Sequence, residues 1–169
     1  MRAFCLLALL VVSPARAEVV SSGPNAFEVR QQVTVQAAPR AVYDRIGRIG
    51  GWWNPEHSYS GKPENLSLEL KAGGCFCETL ANGGSVEHMR VVYADPDHGV
   101  RLQGALGPLQ RQAVAGTLSW SFKPVAGGTE ITQDYLVAGS LRDGGEALAK
   151  GVDIVLGDQL ARLAAGLKP

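Results

Sequence analysis

The sequence predicts an α+β domain in which an antiparallel β-sheet packs against one long C-terminal α-helix. Between residues 66 and 139, short segments of alternating apolar and polar residues are separated about every ten residues by turns rich in Gly or Pro, which is typical of antiparallel strands. From residue 145 onward, apolar residues instead recur at the three- and four-residue spacing of a helix. The length of 169 residues suits one domain of ordinary size.

Residues 18–25 are polar and are predicted to form a flexible N-terminal segment, so that the folded domain covers residues 26–169. Apolar and polar residues alternate from Phe27 to Val35, which predicts the first strand of the sheet. The N-terminal boundary of the domain is therefore expected at the start of this strand.

Two short helices are expected after the first strand. Pro39 suits the first turn of a helix, and Gly50-Gly51 interrupts the helical spacing that follows it. The segment Trp52-Trp53-Asn54-Pro55 predicts a turn or a second short helix. Residues 57–65 are rich in Ser, Gly and Pro, and we expect them to form a loop.

Six further strands and a terminal helix complete the predicted domain. The helix is expected from Gly145 to Leu167, and its polar positions carry Asp153 and Asp158 as well as Lys150 and Arg162. Such a mixture of charges indicates a solvent-exposed face rather than an interfacial membrane helix, so the helix is expected to pack on the sheet. The six strands are predicted over residues 66–70, 75–80, 85–93, 100–106, 114–123 and 129–137.

The composition excludes several classes of protein. Hydrophobic residues make up 46% of the chain and charged residues 19%, which does not fit a disordered chain. Sixteen basic residues balance sixteen acidic ones, so there is no electrostatic reason to expect nucleic-acid binding. The mean hydropathy is close to zero, and no membrane span is predicted in the mature chain.

The first 17 residues have the features of a secretory signal peptide. Met1-Arg2 is a short positive start, an apolar run extends from Ala3 to Val12, and Ala15-Arg16-Ala17 supplies the small residues that a signal peptidase reads. The run is too short to span about 30 Å of hydrocarbon, and an N-terminal core helix is the alternative interpretation. Cleavage would leave a periplasmic or secreted chain with 14 basic residues, 16 acidic residues and two cysteines.

The order of these elements resembles the START-like (SRPBCC) superfamily over about residues 26–167. This superfamily includes pollen allergen-like proteins, polyketide cyclases and chaperone-ATPase-activator domains. The resemblance implies a helix-grip fold, in which a curved sheet wraps around the terminal helix and leaves an apolar cavity for a small molecule. It implies no shared catalytic residues, because members range from enzymes to binding proteins. The segments that carry it are Val33–Tyr43, Trp52-Trp53, Gly73-Gly74-Cys75-Phe76-Cys77-Glu78 and the helix after Gly145.

Cys75 and Cys77 lie two residues apart in a predicted strand, so their side chains share one face of the sheet. Their Cα atoms would be about 6.5–7 Å apart, so a disulfide would require the strand to bend. An oxidised or redox-active pair, metal ligation together with a histidine, and two buried free thiols all remain open. A zinc site would require His57 and His88 to join the two thiols, which needs the loop at His57 to fold onto the strand.

The turn between the two strands over residues 75–93 decides which side chains meet Glu78. A two-residue turn at Asn82-Gly83 would place Glu78 opposite Glu87 and Cys77 opposite His88, whereas a three-residue turn would place Glu78 opposite His88. In either register Glu78 has a titratable neighbour. The two residues form either a polar pair on the solvent-facing side of the sheet, or an acid/base pair or ligand anchor in the cavity.

Seven residues are candidates for ligand contact. One of the two tryptophans at 52 and 53 is expected in the core, and the other could line the mouth of the cavity together with His57. The aromatic residues of the last two strands belong to the core by default, although alternation leaves one of them free to border the cavity. The candidates are Trp52, Trp53, His57, Glu78, His88, Trp120 and Tyr135.

The leading hypothesis is an exported protein that binds a small hydrophobic or amphipathic molecule between its sheet and its terminal helix. The alternative is an enzyme of the cyclase, dehydratase or hydrolase type that uses Glu78 and His88 as acid and base. A third possibility is a redox or metal module at Cys75 and Cys77. The sequence contains no phosphate-binding Gly-Lys-Ser/Thr loop and no GxGxxG, HExxH or GxSxG motif, so no cofactor is predicted.

Overall fold

Alternating burial produces one antiparallel sheet and two α-helices in residues 16–167, the part of the protein that the computed structural model describes. The strands are β1 Arg16–Gly23, β2 Ala26–Val35, β3 Leu66–Leu68, β4 Cys75–Thr79, β5 Ser85–Asp95, β6 Gly99–Gly104, β7 Ala113–Val125 and β8 Gly128–Ser140. They lie in the order β1-β2-β8-β7-β6-β5-β4-β3. The helices are α1 Pro39–Gly47 and α2 Gly144–Ala165. The predicted α+β class and helix-grip fold are confirmed.

Helix α2 packs against the sheet through its apolar face. Leu156, Leu160 and Leu163 are each at most 1% exposed, and the helix contacts mainly β1 and β2. Burial of a leucine side chain contributes about 1.5–3 kcal/mol to folding, so these three side chains account for much of the docking of the helix. None of the helices within residues 16–167 combines the length and the apolar content that a membrane crossing requires.

A chain of buried hydrogen bonds also ties α2 to the sheet. Trp120 Nε1 donates to Gln133 Oε1 over 2.8 Å, and Gln133 Nε2 donates to Gln31 Oε1 (2.8 Å) and to the carbonyl oxygen of Leu156 (2.9 Å). Gln31 Nε2 in turn donates to Asp153 Oδ1 over 2.6 Å. Buried polar groups are costly unless they are paired, so these bonds allow two glutamines to lie inside the fold.

Most of the segment 18–25, for which the sequence predicts flexibility, belongs to strand β1. β1 pairs with β2 from Arg16 opposite Gln32 to Gly23 opposite Ala26. Backbone hydrogen bonds hold this strand, and its side chains are mostly exposed, so its sequence lacks the apolar alternation that would reveal it. Except for its last two residues, which begin β1, the predicted signal peptide of residues 1–17 lies outside the described residues.

The second short helix predicted after the first strand is replaced by single 3₁₀ turns, Ile49–Gly51 and Pro55–His57. Asn54 begins the latter, because its side-chain oxygen accepts a hydrogen bond from the backbone N–H of Glu56 over 3.0 Å. The backbone N–H of Asn54 donates to Gln159 Oε1 of α2 over 2.9 Å. These contacts fix the segment that follows the two tryptophans against the terminal helix.

Candidate functional site

Strands β4 and β5 pair with an irregularity at His88. Phe76 lies opposite Met89, but the next residue of β4, Cys77, lies opposite Glu87. His88 is therefore an extra residue in β5 and forms a β-bulge. His88 and Met89 are both buried, although neighbours in a regular strand point to opposite faces. The bulge thus brings the imidazole of His88 onto the inner face of the sheet.

The turn that joins these strands differs from both predicted turns. It is a 3₁₀ turn over Ala81–Gly83 centred on Asn82, whose φ of 60° lies in the left-handed region that asparagine tolerates. Glu78 consequently pairs with Val86, so both predicted registers are wrong for this residue. Glu78 and His88 meet side by side on the inner face rather than directly across the hairpin.

Glu78 and His88 form a buried pair. Glu78 is 1% exposed and His88 6% exposed, so the interpretation of the two residues as a solvent-facing pair is wrong. His88 Nε2 lies 3.0 Å from Glu78 Oε2. The backbone N–H groups of Tyr59 (3.0 Å) and Ser60 (2.5 Å) also donate to the carboxylate of Glu78. Glu78 therefore holds both the imidazole and the loop that passes over it.

The hydrogen bonds decide the charges of this pair. Burial opposes ionisation of Glu78, but hydrogen bonds from Ser60, Tyr59 and His88 outweigh it and hold the pKa of Glu78 below its ordinary value. Burial lowers the pKa of His88 below its ordinary value, and the attraction of Glu78 opposes this only in part. At neutral pH the pair is a carboxylate and a neutral imidazole. Because a carboxylate can only accept, Nε2 carries the proton and Nδ1 carries the lone pair.

A pocket of about 710 Å³ lies beside His88, between α2 and two loop segments. Helix α2 supplies most of its apolar wall, and β5 and β8 supply His88 and Tyr135. The loops contribute residues on either side of the opening. The first loop segment contributes Trp53, Glu56, His57, Ser58 and Tyr59, and the second contributes Leu106, Gly107, Pro108, Leu109 and Arg111. Helix α2 contributes Ala147, Leu148, Gly151, Val152, Val155 and Leu156.

Tyr135 borders this pocket as a fully buried side chain whose hydroxyl group is bound to the neighbouring loop. Its oxygen accepts a hydrogen bond from the backbone N–H of Leu106 over 3.1 Å, so the hydroxyl proton is available to a second partner. Burial raises the pKa of Tyr135 to about 12, which the bond from Leu106 offsets only in part, so the hydroxyl stays protonated. A Cβ atom at Gly116 would lie 2.9 Å from the Tyr135 hydroxyl oxygen. The glycine at 116 therefore leaves the room that this ring occupies.

Tyr59 joins the two loop segments that border the pocket. Its hydroxyl group donates to the carbonyl oxygen of Gly107 (3.1 Å) or to Gln110 Oε1 (3.3 Å). Its ring centre lies 5.9 Å from that of His88, and its backbone N–H is bound to Glu78. One residue of the loop thus contacts the buried pair from its backbone and the opposite loop from its side chain.

Four of the seven predicted contact residues border the pocket, namely Trp53, His57, His88 and Tyr135. The other three do not. Trp52 is buried in the core, where its Nε1 donates to the carbonyl oxygen of Arg45, and Trp120 is bound to Gln133. Glu78 is buried and is bound to His88, which itself borders the pocket. Sequence patterns gave no indication of Tyr59, because it lies in a loop without periodicity, whereas the apolar spacing of α2 did indicate the wall residues of the helix.

Cys75 and Cys77 form a disulfide rather than free thiols or metal ligands. Their Cα atoms are 5.4 Å apart, and both residues are only partly buried, on the opposite face of β4 from Phe76 and Glu78. Of the three alternatives for the two cysteines, a zinc site with His57 and His88 is therefore ruled out, because the thiols are bridged and His88 lies on the inner face. Within residues 16–167, no three His, Cys, Asp or Glu residues are grouped so that they could hold a metal ion.

Several solved structures have the same fold as this chain. CalU16 from Micromonospora echinospora is similar with a TM-score of 0.59 and 12% identity, covering 90% of this chain and 83% of that protein. A Rhodobacter sphaeroides protein has a TM-score of 0.57 and 16% identity, covering 90% of this chain and 97% of its own. The di-domain ARO/CYC StfQ from the steffimycin biosynthetic pathway has a TM-score of 0.57 and 14% identity, and 85% of this chain matches 51% of StfQ.

At these low identities, the similar structures establish the fold alone. No curated protein sequence matches the chain. A family model described as polyketide cyclase / dehydrase and lipid transport matches residues 26–168, which is most of the chain. These residues include strands β2 to β8 and both α-helices, together with the Glu78–His88 pair and the whole pocket. The chain therefore belongs to the polyketide cyclase / dehydrase and lipid transport family.

Proposed function

We propose that this protein is an exported binding protein for an amphipathic small molecule, which it holds between α2 and the sheet. The pocket is the observation that carries the proposal. Its volume of about 710 Å³ lies within the range of roughly 300–1,000 Å³ that is usual for small-molecule sites. Apolar side chains such as Leu148, Val152 and Val155 form one wall, and a few polar groups stand opposite.

The polar groups favour a ligand that carries a hydroxyl or carbonyl oxygen. Tyr135 offers a hydroxyl proton, and the neutral imidazole of His88 offers the lone pair of Nδ1. A ligand hydroxyl group can accept from the first and donate to the second. The family description names polyketide cyclases and lipid transport, and StfQ belongs to the steffimycin biosynthetic pathway, so an oxygenated polycyclic or lipid-like molecule suits this pocket.

Two features support export. The sequence of residues 1–17 has the features of a signal peptide, and the disulfide between Cys75 and Cys77 suits an oxidising compartment. Expression of the full chain in a bacterial host tests this part. We expect the periplasmic fraction to contain a protein whose mass corresponds to a chain that begins at Glu18. Recovery of the uncleaved chain from the cytoplasm alone would contradict export.

A substitution that fills the pocket tests ligand binding. Gly151 of α2 borders the pocket, and a Cβ atom added there meets no other atom within 4 Å. Gly151→Phe should therefore narrow the pocket without a clash, and we expect the affinity for the amphipathic dye 1-anilinonaphthalene-8-sulfonate to fall at least tenfold. Gly157 of the same helix is equally unhindered but does not border the pocket, so Gly157→Phe is the matched control. Equal dye affinities in the two variants would overturn the proposal.

The Glu78–His88 pair favours a second candidate function, an enzyme of the cyclase or dehydratase type. Nδ1 of a neutral imidazole can take a proton from a bound substrate, and a carboxylate at Nε2 stabilises the imidazolium that forms. Tyr135 would donate a hydrogen bond to the oxygen on which charge develops. If the protein is an enzyme, Glu78→Gln should lower turnover far more than it lowers dye affinity. A pure binding protein has no turnover to lose.

A further inference from the structure

The bulge at His88 faces the Cys75–Cys77 disulfide directly. Cys75 pairs with Arg90 and Cys77 pairs with Glu87, so the two bridged residues are the partners of the residues that flank the bulge. A step of two residues along β4 thus lies beside a step of three residues along β5. The disulfide spans the one position of β4 at which the two strands differ in residue number.

The disulfide also shortens β4 at this position. Two residues of a regular strand advance about 6.6–6.8 Å, whereas the Cα atoms of Cys75 and Cys77 are 5.4 Å apart. Shortening one strand beside an extra residue in its partner increases the mismatch that a bulge relieves. Beyond the pair of Cys75 and Arg90, backbone hydrogen bonds join Gly73 and Gly74 to Val91. A shift of the strand register that removed the bulge in this direction would break these bonds.

Strand β6, on the other side of β5, is also adapted to the bulge. Gly104 pairs with Met89, and its φ of 149° is one that residues with a side chain rarely adopt. A Cβ atom at this position would lie 2.7 Å from the carbonyl oxygen of His88 and 2.9 Å from the Cα atom of Met89. The backbone at His88 therefore occupies the space that a side chain at 104 would need. The two strands that flank β5 are thus both adapted to the bulge, β4 through the bridged cysteines and β6 through Gly104.

We propose that the Cys75–Cys77 disulfide is a positioning element for His88: it fixes the bulge that turns the imidazole toward Glu78 and the pocket. In a regular strand with Met89 facing inward, His88 would face outward, away from Glu78. A bridge between residues two apart closes a very short loop, which constrains the unfolded chain less than a long loop does, so its effect is mainly local. The consequence for ligand or substrate rests on the proposed function; the positioning itself does not.

Nuclear magnetic resonance of the three histidines tests this inference without any ligand. In the bridged protein, the ¹⁵N signals of His88 should show one tautomer with the proton on Nε2, and a pKa below the ordinary value. In Cys75→Ser/Cys77→Ser, a part of the molecules should expose the imidazole, so the single tautomer is lost and the pKa of His88 rises toward its ordinary value. The signals of His57 and His98 should not move between the two proteins.

Reduction of the unmodified protein gives an independent measurement if the double variant folds poorly. We expect dithiothreitol to produce the same change at His88, with unfolding still cooperative, and reoxidation to restore the original signals. Thr79→Ala, on the same outer face of β4 but outside the bridge, is the matched control and should leave His88 unchanged. Unaltered His88 signals after both reduction and double substitution would overturn the inference. A response of His88 together with equal dye affinities in the Gly151 and Gly157 variants would instead overturn only the proposed function.

Discussion

The carboxylate of Glu78 lies 3.0 Å from Nε2 of His88, and it also accepts the backbone N–H groups of Tyr59 and Ser60. One buried side chain thus orients the imidazole at the pocket wall and fixes the loop that passes over it. This arrangement joins the chemistry of the site to the shape of its opening. Changes at Glu78 are therefore expected to affect both the titration of His88 and the stability of the loop.

Glu78→Gln should destabilise the protein and lower the pKa of His88 further. The carboxylate is what opposes the effect of burial on His88, so its removal leaves burial alone to disfavour the imidazolium. The amide also brings a donor toward the N–H groups of Tyr59 and Ser60, and leaving buried donors unpaired costs about 1–3 kcal/mol. Urea denaturation at pH 7.5 measures the loss of stability, and the proton signals of His88 measure the pKa.

Glu87→Gln is the matched control for this change. Glu87 lies on the neighbouring strand, its side chain is 47% exposed, and it pairs with Arg90 on the outer face of the sheet. Exposed ion pairs contribute about 0–1 kcal/mol, so this substitution should change the free energy of unfolding very little. If the two variants were equally stable and His88 titrated alike in both, the role assigned to Glu78 would be contradicted.

Acid should destabilise the protein in two stages. Below pH 6.5, the ordinary pKa of histidine, the unfolded chain binds a proton that buried His88 does not bind until a lower pH, so the free energy of unfolding falls as the pH falls. Glu78 acts in the same direction below its ordinary pKa of 4.5, because the folded protein keeps the carboxylate ionised. Urea denaturation at a series of pH values measures both stages.

His88→Gln separates the two stages. Glutamine does not titrate, so the part of the stability loss that begins below pH 6.5 should shrink, while the part that begins below pH 4.5 should remain as long as Glu78 stays ionised in the folded protein. The comparison uses the slope of the unfolding free energy against pH between 6.5 and 5. An unchanged slope in this range would show that His88 does not cause the first stage.

Most of the fold follows from patterns in the sequence, because half-buried strands and an amphipathic helix leave clear periods. The helix expected at 145–167 is observed as α2, Gly144–Ala165, and the strand expected at 129–137 is the central part of β8. Strand β1 escapes the pattern because backbone pairing rather than apolar burial holds it. Apolar and polar residues alternate along a strand only where every second side chain is buried. A strand that buries few side chains therefore shows no such alternation in its sequence.

The arrangement of the candidate site was harder to predict, since it depends on contacts between strands. Glu78 and His88 are recognisable as a pair from their place in one hairpin, but the bulge that brings them together depends on residues of β4 and β6. Two features of the sequence are associated with the bulge, namely the glycine at position 104 and the spacing of Cys75 and Cys77. Neither feature predicts a bulge at His88 until the pairing of β4, β5 and β6 is known.

Tyr59→Phe should speed exchange of a bound ligand without altering the fold. The substitution removes the hydrogen bonds from the hydroxyl group to Gly107 and Gln110, but it keeps the backbone bond to Glu78. A hydrogen bond of this kind contributes about 0.5–1.5 kcal/mol, which corresponds to a dissociation rate about two to ten times higher. Stopped-flow release of 1-anilinonaphthalene-8-sulfonate measures this rate.

Tyr93→Phe serves as the control for the effect on exchange. Tyr93 is also an exposed tyrosine, and its hydroxyl group is bound to Asp95, but it does not border the pocket. Its substitution should leave the rate of dye release unchanged. Equal rates in Tyr59→Phe and the unmodified protein would show that the contact between the two loops does not limit release.

Gln133→Leu should be among the most destabilising single substitutions in the sheet. Gln133 is fully buried, and its side chain forms hydrogen bonds with Trp120, Gln31 and the carbonyl oxygen of Leu156. An apolar residue of similar size would therefore leave three polar groups without this partner. At about 1–3 kcal/mol for each unpaired buried group, the free energy of unfolding should fall by at least about 2 kcal/mol. Gln103→Leu, at an exposed position of β6, is the control and should change it by less than about 0.5 kcal/mol. Urea denaturation of both variants measures these changes. If Gln133→Leu lowered the free energy of unfolding by less than about 1 kcal/mol, apolar packing alone, and not the buried hydrogen bonds of Gln133, would hold α2 on the sheet.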